Sequence, residues 1–136
     1  MKTLALVITM TLTTILSYSQ ETYTLTVSVD NVLNNNGHVL VGLHTEDTFM
    51  KGKGIKNAKA EIHEGKISVT FKDVTPGTYA VMLLHDENDN ERMDLEPNGM
   101  PMESYGMSNN PMLYGPPTFA DAKFELTKDT EMKIRF

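Results

Sequence analysis

The feature that most constrains this chain is a period of two in its apolar residues. Tyr23, Leu25, Val27 and Val29 alternate with Thr24, Thr26 and Ser28 in YTLTVSV. Successive side chains of a strand point to opposite faces, so this alternation reads as a half-buried strand. It returns in HVLVGLH (Val39, Val41, Leu43) and in KISVTF (Ile67, Val69, Phe71). Ala60 and Ile62 suggest a short strand, Ala122, Phe124 and Leu126 another, and Met132, Ile134 and Phe136 a last one. In TYAVMLLH, Tyr79, Val81 and Leu83 alternate, but Ala80, Met82 and Leu84 are apolar as well. That predicts a central strand covered on both faces. No stretch of ten residues carries a helical stripe.

Turn residues fall between these segments. NNNG at 34–37 and HEG at 63–65 read as hairpin-like turns, VTPG at 74–77 as a tight turn, and KD at 128–129 as the turn of the last pair. About seven short strands with regular turns predict an all-β fold, an antiparallel β-sandwich in one domain spanning 20–136. Two regions break the pattern. Residues 45–58 hold Lys51, Lys53 and Lys56 among glycines and read as a solvated loop. Residues 86–119 show no alternation, yet Met93, Leu95, Met100, Met102, Tyr105, Met107, Leu113, Tyr114 and Phe119 make them too apolar for disorder. An ordered loop capping one end of the sandwich, before the last two strands, is expected.

The first 19 residues read as a signal peptide: Lys2, an apolar run from Leu4 to Leu16, and small Ser17 and Ser19 before Gln20. The run is shorter than the roughly 20 residues of a membrane span. Export to the periplasm or the exterior is the expectation, with no membrane span left after cleavage. The formal charge is −6 and becomes more negative on losing Lys2. That argues against nucleic acid and anionic membranes. With no cysteine, disulfides and thiol chemistry are excluded.

The chemistry-bearing stretch is HDENDNERMD, residues 85–94. Asp86, Asn88 and Asn90 occupy alternate positions and Asp94 follows. Calcium takes six to eight oxygen ligands, which alternate residues of a loop can supply. The candidate metal set is Asp86, Asn88, Asn90, the Arg92 carbonyl and Asp94, with Glu96 or Glu103 closing the shell. It is no EF-hand, because Glu91 and Pro97 stand where that loop needs Gly and Glu. The same string also reads as a metal-free turn in which Asp and Asn accept their own backbone amides. Spacing alone leaves both readings open.

Three blocks carry a resemblance. His85, Asp86, Asn88, Asn90 and Asp94 form the first, and Gly99, Pro101, Glu103, Tyr105, Gly106, Ser108 and Asn109 the second. Gly115, Pro116, Pro117, Phe119, Ala122 and Phe124 form the third. In this order they resemble a bacterial exported family, the domain of unknown function 2141. The resemblance covers nearly all of 20–136 and implies an Ig-like or transthyretin-like sandwich, without an established activity. Glu91 departs from it, since the family often has Gly there.

No nucleophile elbow, zinc-protease motif or phosphate-cradling loop is present, and the four histidines lack metal spacing. A Cu(I) site finds no tight Met-x-x-Met cluster. The chain therefore reads as a non-catalytic binding or structural module with a calcium-stabilised loop. The alternative is a metal-free module for cell-envelope glycan or peptide, with Tyr105 and Tyr114 as stacking surfaces. His85, Ser108 and Asn109 complete the candidate binding residues, Ser108 and Asn109 reading first as loop pins. A hydrolase built on His85 and carboxylates such as Glu96 and Glu103 is the third reading.

Overall fold

Alternation becomes strand wherever it was clear. The computed structural model describes residues 18–136, so most of the expected leader lies outside the described residues. Leu25, Val27 and Val29 point inward from β1 (Tyr23–Val29), and Val39, Val41 and Leu43 from β2 (His38–His44). β3 (Lys56–Ala60) follows, then β4 (Ile67–Val74), with Ile67, Val69 and Phe71 buried. β5 (Gly77–Asp86) is the longest strand. β6 (Tyr105–Met107), a four-residue helix α1 (Phe119–Ala122), β7 (Phe124–Leu126) and β8 (Thr130–Lys133) complete the order.

These elements make two sheets. One is three-stranded, β4-β1-β8; the other runs β3-β2-β5-β6, with β7 also pairing β5. The apolar faces of both sheets meet in one core that holds Leu25, Val41, Leu83, Leu126 and Ile134. Each such side chain fully buried contributes about 1.5–3 kcal/mol.

Several expectations change. Among the described residues the strands number eight. β3 occupies 56–60, so it takes the end of the expected 45–58 loop and stops before Ile62. The 34–37 turn makes no hairpin, because β1 pairs β4 and β8 whereas β2 pairs β3 and β5. The turns at 75–76 and 128–129 likewise cross between sheets. β8 lies parallel to β1, with Leu25 opposite Thr130, so the sandwich is not wholly antiparallel. Ala122 ends α1 instead of starting a strand: Thr118 caps the helix in a capping box with Asp121.

β5 is central, as its two-faced apolarity predicts. Its inward face holds Tyr79, Val81 and Leu83. Its outward Ala80 joins Phe49, Met107 and Ala122 in a second buried cluster, with Met82, Leu113 and Phe119 packed against it. The stretch 86–119, expected as an ordered loop without strands, therefore contains a strand, β6, that pairs Met82–Leu84 of β5. β7 pairs Gly77–Tyr79 along the same strand. The cap is thereby tied to the sheet it covers.

Candidate functional site

The acidic loop leaves β5 at Asp86, which is fully buried. A buried carboxylate needs partners. Asp86 accepts the amide of Asn90 at 3.1 Å with one oxygen and that of Glu91 at 2.8 Å with the other. Glu103, 9% exposed, does the same from the far side of the loop. Its Oε1 accepts the Glu87 amide at 3.1 Å and its Oε2 the Asp94 amide at 3.3 Å. Two carboxylates thus hold four backbone amides between residues 87 and 94. Such charge-assisted bonds are about twice as strong as neutral ones.

The asparagines stitch the outer side. Asn88 Nδ2 donates to Asp94 Oδ2 at 2.7 Å, and Asn90 Nδ2 to both Asp94 oxygens at 2.8 and 2.9 Å. Asn88 Oδ1 accepts the Asn90 amide and Asn90 Oδ1 the Arg92 amide, each two residues on. These are Asx-turns. Of the candidate metal set, the structure brings together Asp86, Asn88, Asn90, Asp94 and Glu103. Glu96, the other candidate for closing the shell, is exposed, as is Arg92, whose carbonyl rather than side chain was the candidate ligand. Among the described residues no three His, Asp or Glu side chains are arranged to hold an ion. The carboxylates of Asp86, Asp94 and Glu103 accept N–H donors instead.

The loop is further clamped by the 34–37 turn. Gly37 has φ 62°, and a Cβ there would come within 1.9 Å of the Asp86 carbonyl oxygen. Asn34 Nδ2 donates to Glu87 Oε1 at 2.7 Å. His38 Nδ1 meets Asp89, and Lys59 lies 3.8 Å from the same carboxylate. The His38 hydrogen bond holds the Asp89 carboxyl below its ordinary range. Sequence reasoning missed these partners, although the Asn-Asn-Asn-Gly string was a signal for a turn with a left-handed glycine.

His85 is fully buried. Its Nε2 donates to the Asn36 carbonyl at 2.9 Å and its ring tilts against Phe136. Among the described residues its Nδ1 has no hydrogen-bond partner, and it stands 3.8 Å from Glu87 Oε1.

Ser108 and Asn109 fasten the end of the cap. Buried Ser108 accepts the Val81 amide and donates to the Ala122 carbonyl. Asn109 Nδ2 donates to the carbonyls of Asp121 and Lys123. Neighbouring Asn110 donates to the Lys133 carbonyl and accepts the Arg135 amide. Tyr105 is half-buried in a surface cavity beside β6, whereas Tyr114 is 97% exposed. The two tyrosines do not both line that cavity.

Five large apolar side chains of the cap are exposed, Leu95, Met100, Met102, Met112 and Tyr114, and Tyr18, Leu33, Met50 and Ile55 are exposed elsewhere. The first three sit on a small hairpin, in which the Met102 amide bonds the Asp94 carbonyl and the Glu96 amide the Met100 carbonyl.

The model of a family described as "Uncharacterized protein conserved in bacteria (DUF2141)" matches residues 27–135. No curated protein and no solved structure matches the chain. Among the described residues no helix is long and apolar enough to cross a membrane.

Proposed function

We propose that this chain, which belongs to the DUF2141 family of bacterial proteins, is an exported, non-catalytic module that binds through a rigid cap. The observation that carries the reading is the pair of buried carboxylates, Asp86 and Glu103, each holding two amides of one loop. A loop ordered before it meets a ligand spares the entropy of ordering it on binding. The cap presents exposed Leu95, Met100, Met102, Met112 and Tyr114. Leu95, Met100 and Met102 share one small hairpin, and contiguous exposed apolar groups mark an interaction surface. A cell-envelope glycan or a peptide is the ligand class, with Tyr114 as the stacking surface. A three-stranded sheet facing a five-stranded one supports the Ig-like or transthyretin-like architecture.

The leader expected at 1–19 makes export part of the same reading. N-terminal sequencing of the protein recovered from the cell envelope should begin at Gln20. A mature chain that still begins at residue 1 would remove export. For binding, a cell-wall and glycan screen should retain the protein and lose Tyr114→Ala. Equal retention of both would remove Tyr114 from the account.

A calcium-stabilised loop is the second reading, favoured by the convergence of the Asn88, Asn90 and Asp94 side chains. Calcium takes oxygen ligands alone, so both carboxamides would have to turn their oxygens inward. An ion that binds only the folded state stabilises it by about 2.7 kcal/mol at a hundredfold excess over its dissociation constant. Melts in calcium and in chelator test this, and coincident midpoints leave the hydrogen-bonded loop as the whole account.

A further inference from the structure

The cavity beside β6 has a composition that the cap's outer surface lacks. Its volume is about 510 Å³, within the roughly 300–1,000 Å³ of small-ligand sites. Tyr105, Met112, Leu113 and Phe136 give it apolar and aromatic walls, and Arg135 lies on its lining. Among the described residues the Arg135 side chain has no ion pair and no hydrogen bond. This is in a chain whose acids outnumber its lysines and arginines by 18 to 12. The larger depression elsewhere, about 800 Å³, differs. There Lys59, Lys66 and Lys133 share the lining with the carboxylates of Asp30 and Glu61, and Lys133 lies 2.6 Å from Asp30.

The wall that carries Arg135 is built, not loose. Asn110 accepts the Arg135 amide at 2.8 Å and donates to the Lys133 carbonyl at 3.1 Å. Asn31 donates to a backbone oxygen of Phe136 at 3.1 Å and accepts its amide at 3.3 Å. Both carboxamides are thus engaged with backbone and hold residues 133–136 from two sides. The Arg135 carbonyl sits so close to Gly106 that a Cβ there would come within 2.5 Å of it. Any larger residue at 106 would push this segment away.

We infer that this cavity is a binding site for a small organic carboxylate with an aromatic or short aliphatic body. With Asn31 and Asn110 engaged, Arg135 is the recognition group left, and a guanidinium meets a carboxylate through two parallel hydrogen bonds. Tyr105 and Phe136 supply the faces for an apolar body. The site does not require the cap to be a glycan or peptide platform; it uses Tyr105, Met112 and Leu113 only as walls.

The test is a titration of isotope-labelled protein with 4-phenylbutyrate and with the neutral 4-phenylbutanamide, followed by amide chemical shifts. The acid should move Tyr105, Leu113, Arg135 and Phe136 in a saturable way and bind about tenfold more tightly than the amide. Arg135→Gln should lower affinity for the acid about tenfold and abolish the acid–amide difference. Arg135→Lys, keeping the charge without the fork, should fall between. The thermal midpoint of each variant is measured alongside, since an exposed side chain can be changed without unfolding the domain. Equal affinity for acid and amide, shifts that map away from the cavity, no saturable shift at all, or Arg135→Gln binding like wild type would each overturn the site. None of these outcomes touches the cap reading, which the glycan screen tests separately.

Discussion

Asp86 holds Glu91 in a conformation that glutamate disfavours. The carboxylate accepts the Glu91 amide at 2.8 Å while Glu91 sits at φ 59°. That left-handed geometry costs a residue with a Cβ about 1–2 kcal/mol. Glycine adopts it freely but loses more entropy on folding, about 0.5–1 kcal/mol. Glu91→Gly should therefore stabilise the domain by about 0.5–1 kcal/mol, read as a higher urea midpoint at unchanged slope. The side chain is largely exposed and lies 3.9 Å from Lys59, a surface contact of small worth. A lower midpoint would mean that the Glu91 side chain matters more than its backbone.

The converse substitution acts on the holder. Asp86→Ala removes both acceptors and leaves the amides of Asn90 and Glu91 without them. Each bond to a charged group is worth about 1.5–3 kcal/mol, so the loss should be about 3 kcal/mol or more. Asp86→Asn keeps one acceptor and turns a donor toward an amide, so its cost should be smaller but still about 1–3 kcal/mol. Native-state hydrogen exchange should place the effect: the amides of 87–94 open faster while those of β1 and β4 keep their protection.

The sequence carried the strands better than their partners. β1, β2, β4 and β5 could be read from alternation because one face of each meets the core. The hairpins expected at 34–37 and 128–129 failed because turn chemistry is local. Asn-Asn-Asn-Gly turns the chain equally well within a sheet or across to the next. The parallel pairing of Leu25 with Thr130 has no local signature at all. β6 was hidden by being three residues long, with Gly106 in its middle. For the loop, the residues could be read and their partners could not: an Asp that accepts two amides and one that ligates an ion need the same carboxylate at the same position. Arg135 and Asn31 escaped notice because nothing near them in sequence announces a cavity made by distant segments.

Ser108 joins three parts of the fold through one hydroxyl. It accepts the Val81 amide at 2.9 Å and donates to the Ala122 carbonyl, so β5, the cap and α1 meet there. Ser108→Ala would leave a buried N–H and a buried C=O without that partner, each at about 1–3 kcal/mol. A loss of about 2–4 kcal/mol is expected, with faster exchange at Val81 and across α1. Ser108→Thr keeps the hydroxyl but adds a methyl at a fully buried position, so it should cost about 1–3 kcal/mol by overpacking. A Ser108→Ala variant as stable as wild type would show that the cap is held elsewhere.

His44 makes stability depend on pH in a direction that can be worked out. Its side chain is buried at the end of β2, with Nδ1 against the Thr48 carbonyl and the ring edge-on to Phe49. Burial pushes its pKa below the ordinary 6.5, against a smaller upward pull from the Thr48 carbonyl. The unfolded chain, with its histidine near 6.5, therefore binds a proton more readily than the folded one. Stability is full above that value and falls as pH drops from there toward the depressed folded value, below which this group adds no further change. Carboxylates titrate in the lower part of the same range, so the measurement is a difference. Urea midpoints of wild type and His44→Gln are compared from pH 8 to pH 5. The wild type should lose more stability than the variant between pH 7 and pH 5. Gln at 44 can still donate to Thr48 and has no charge to acquire, so parallel curves would mean that His44 titrates alike in both states.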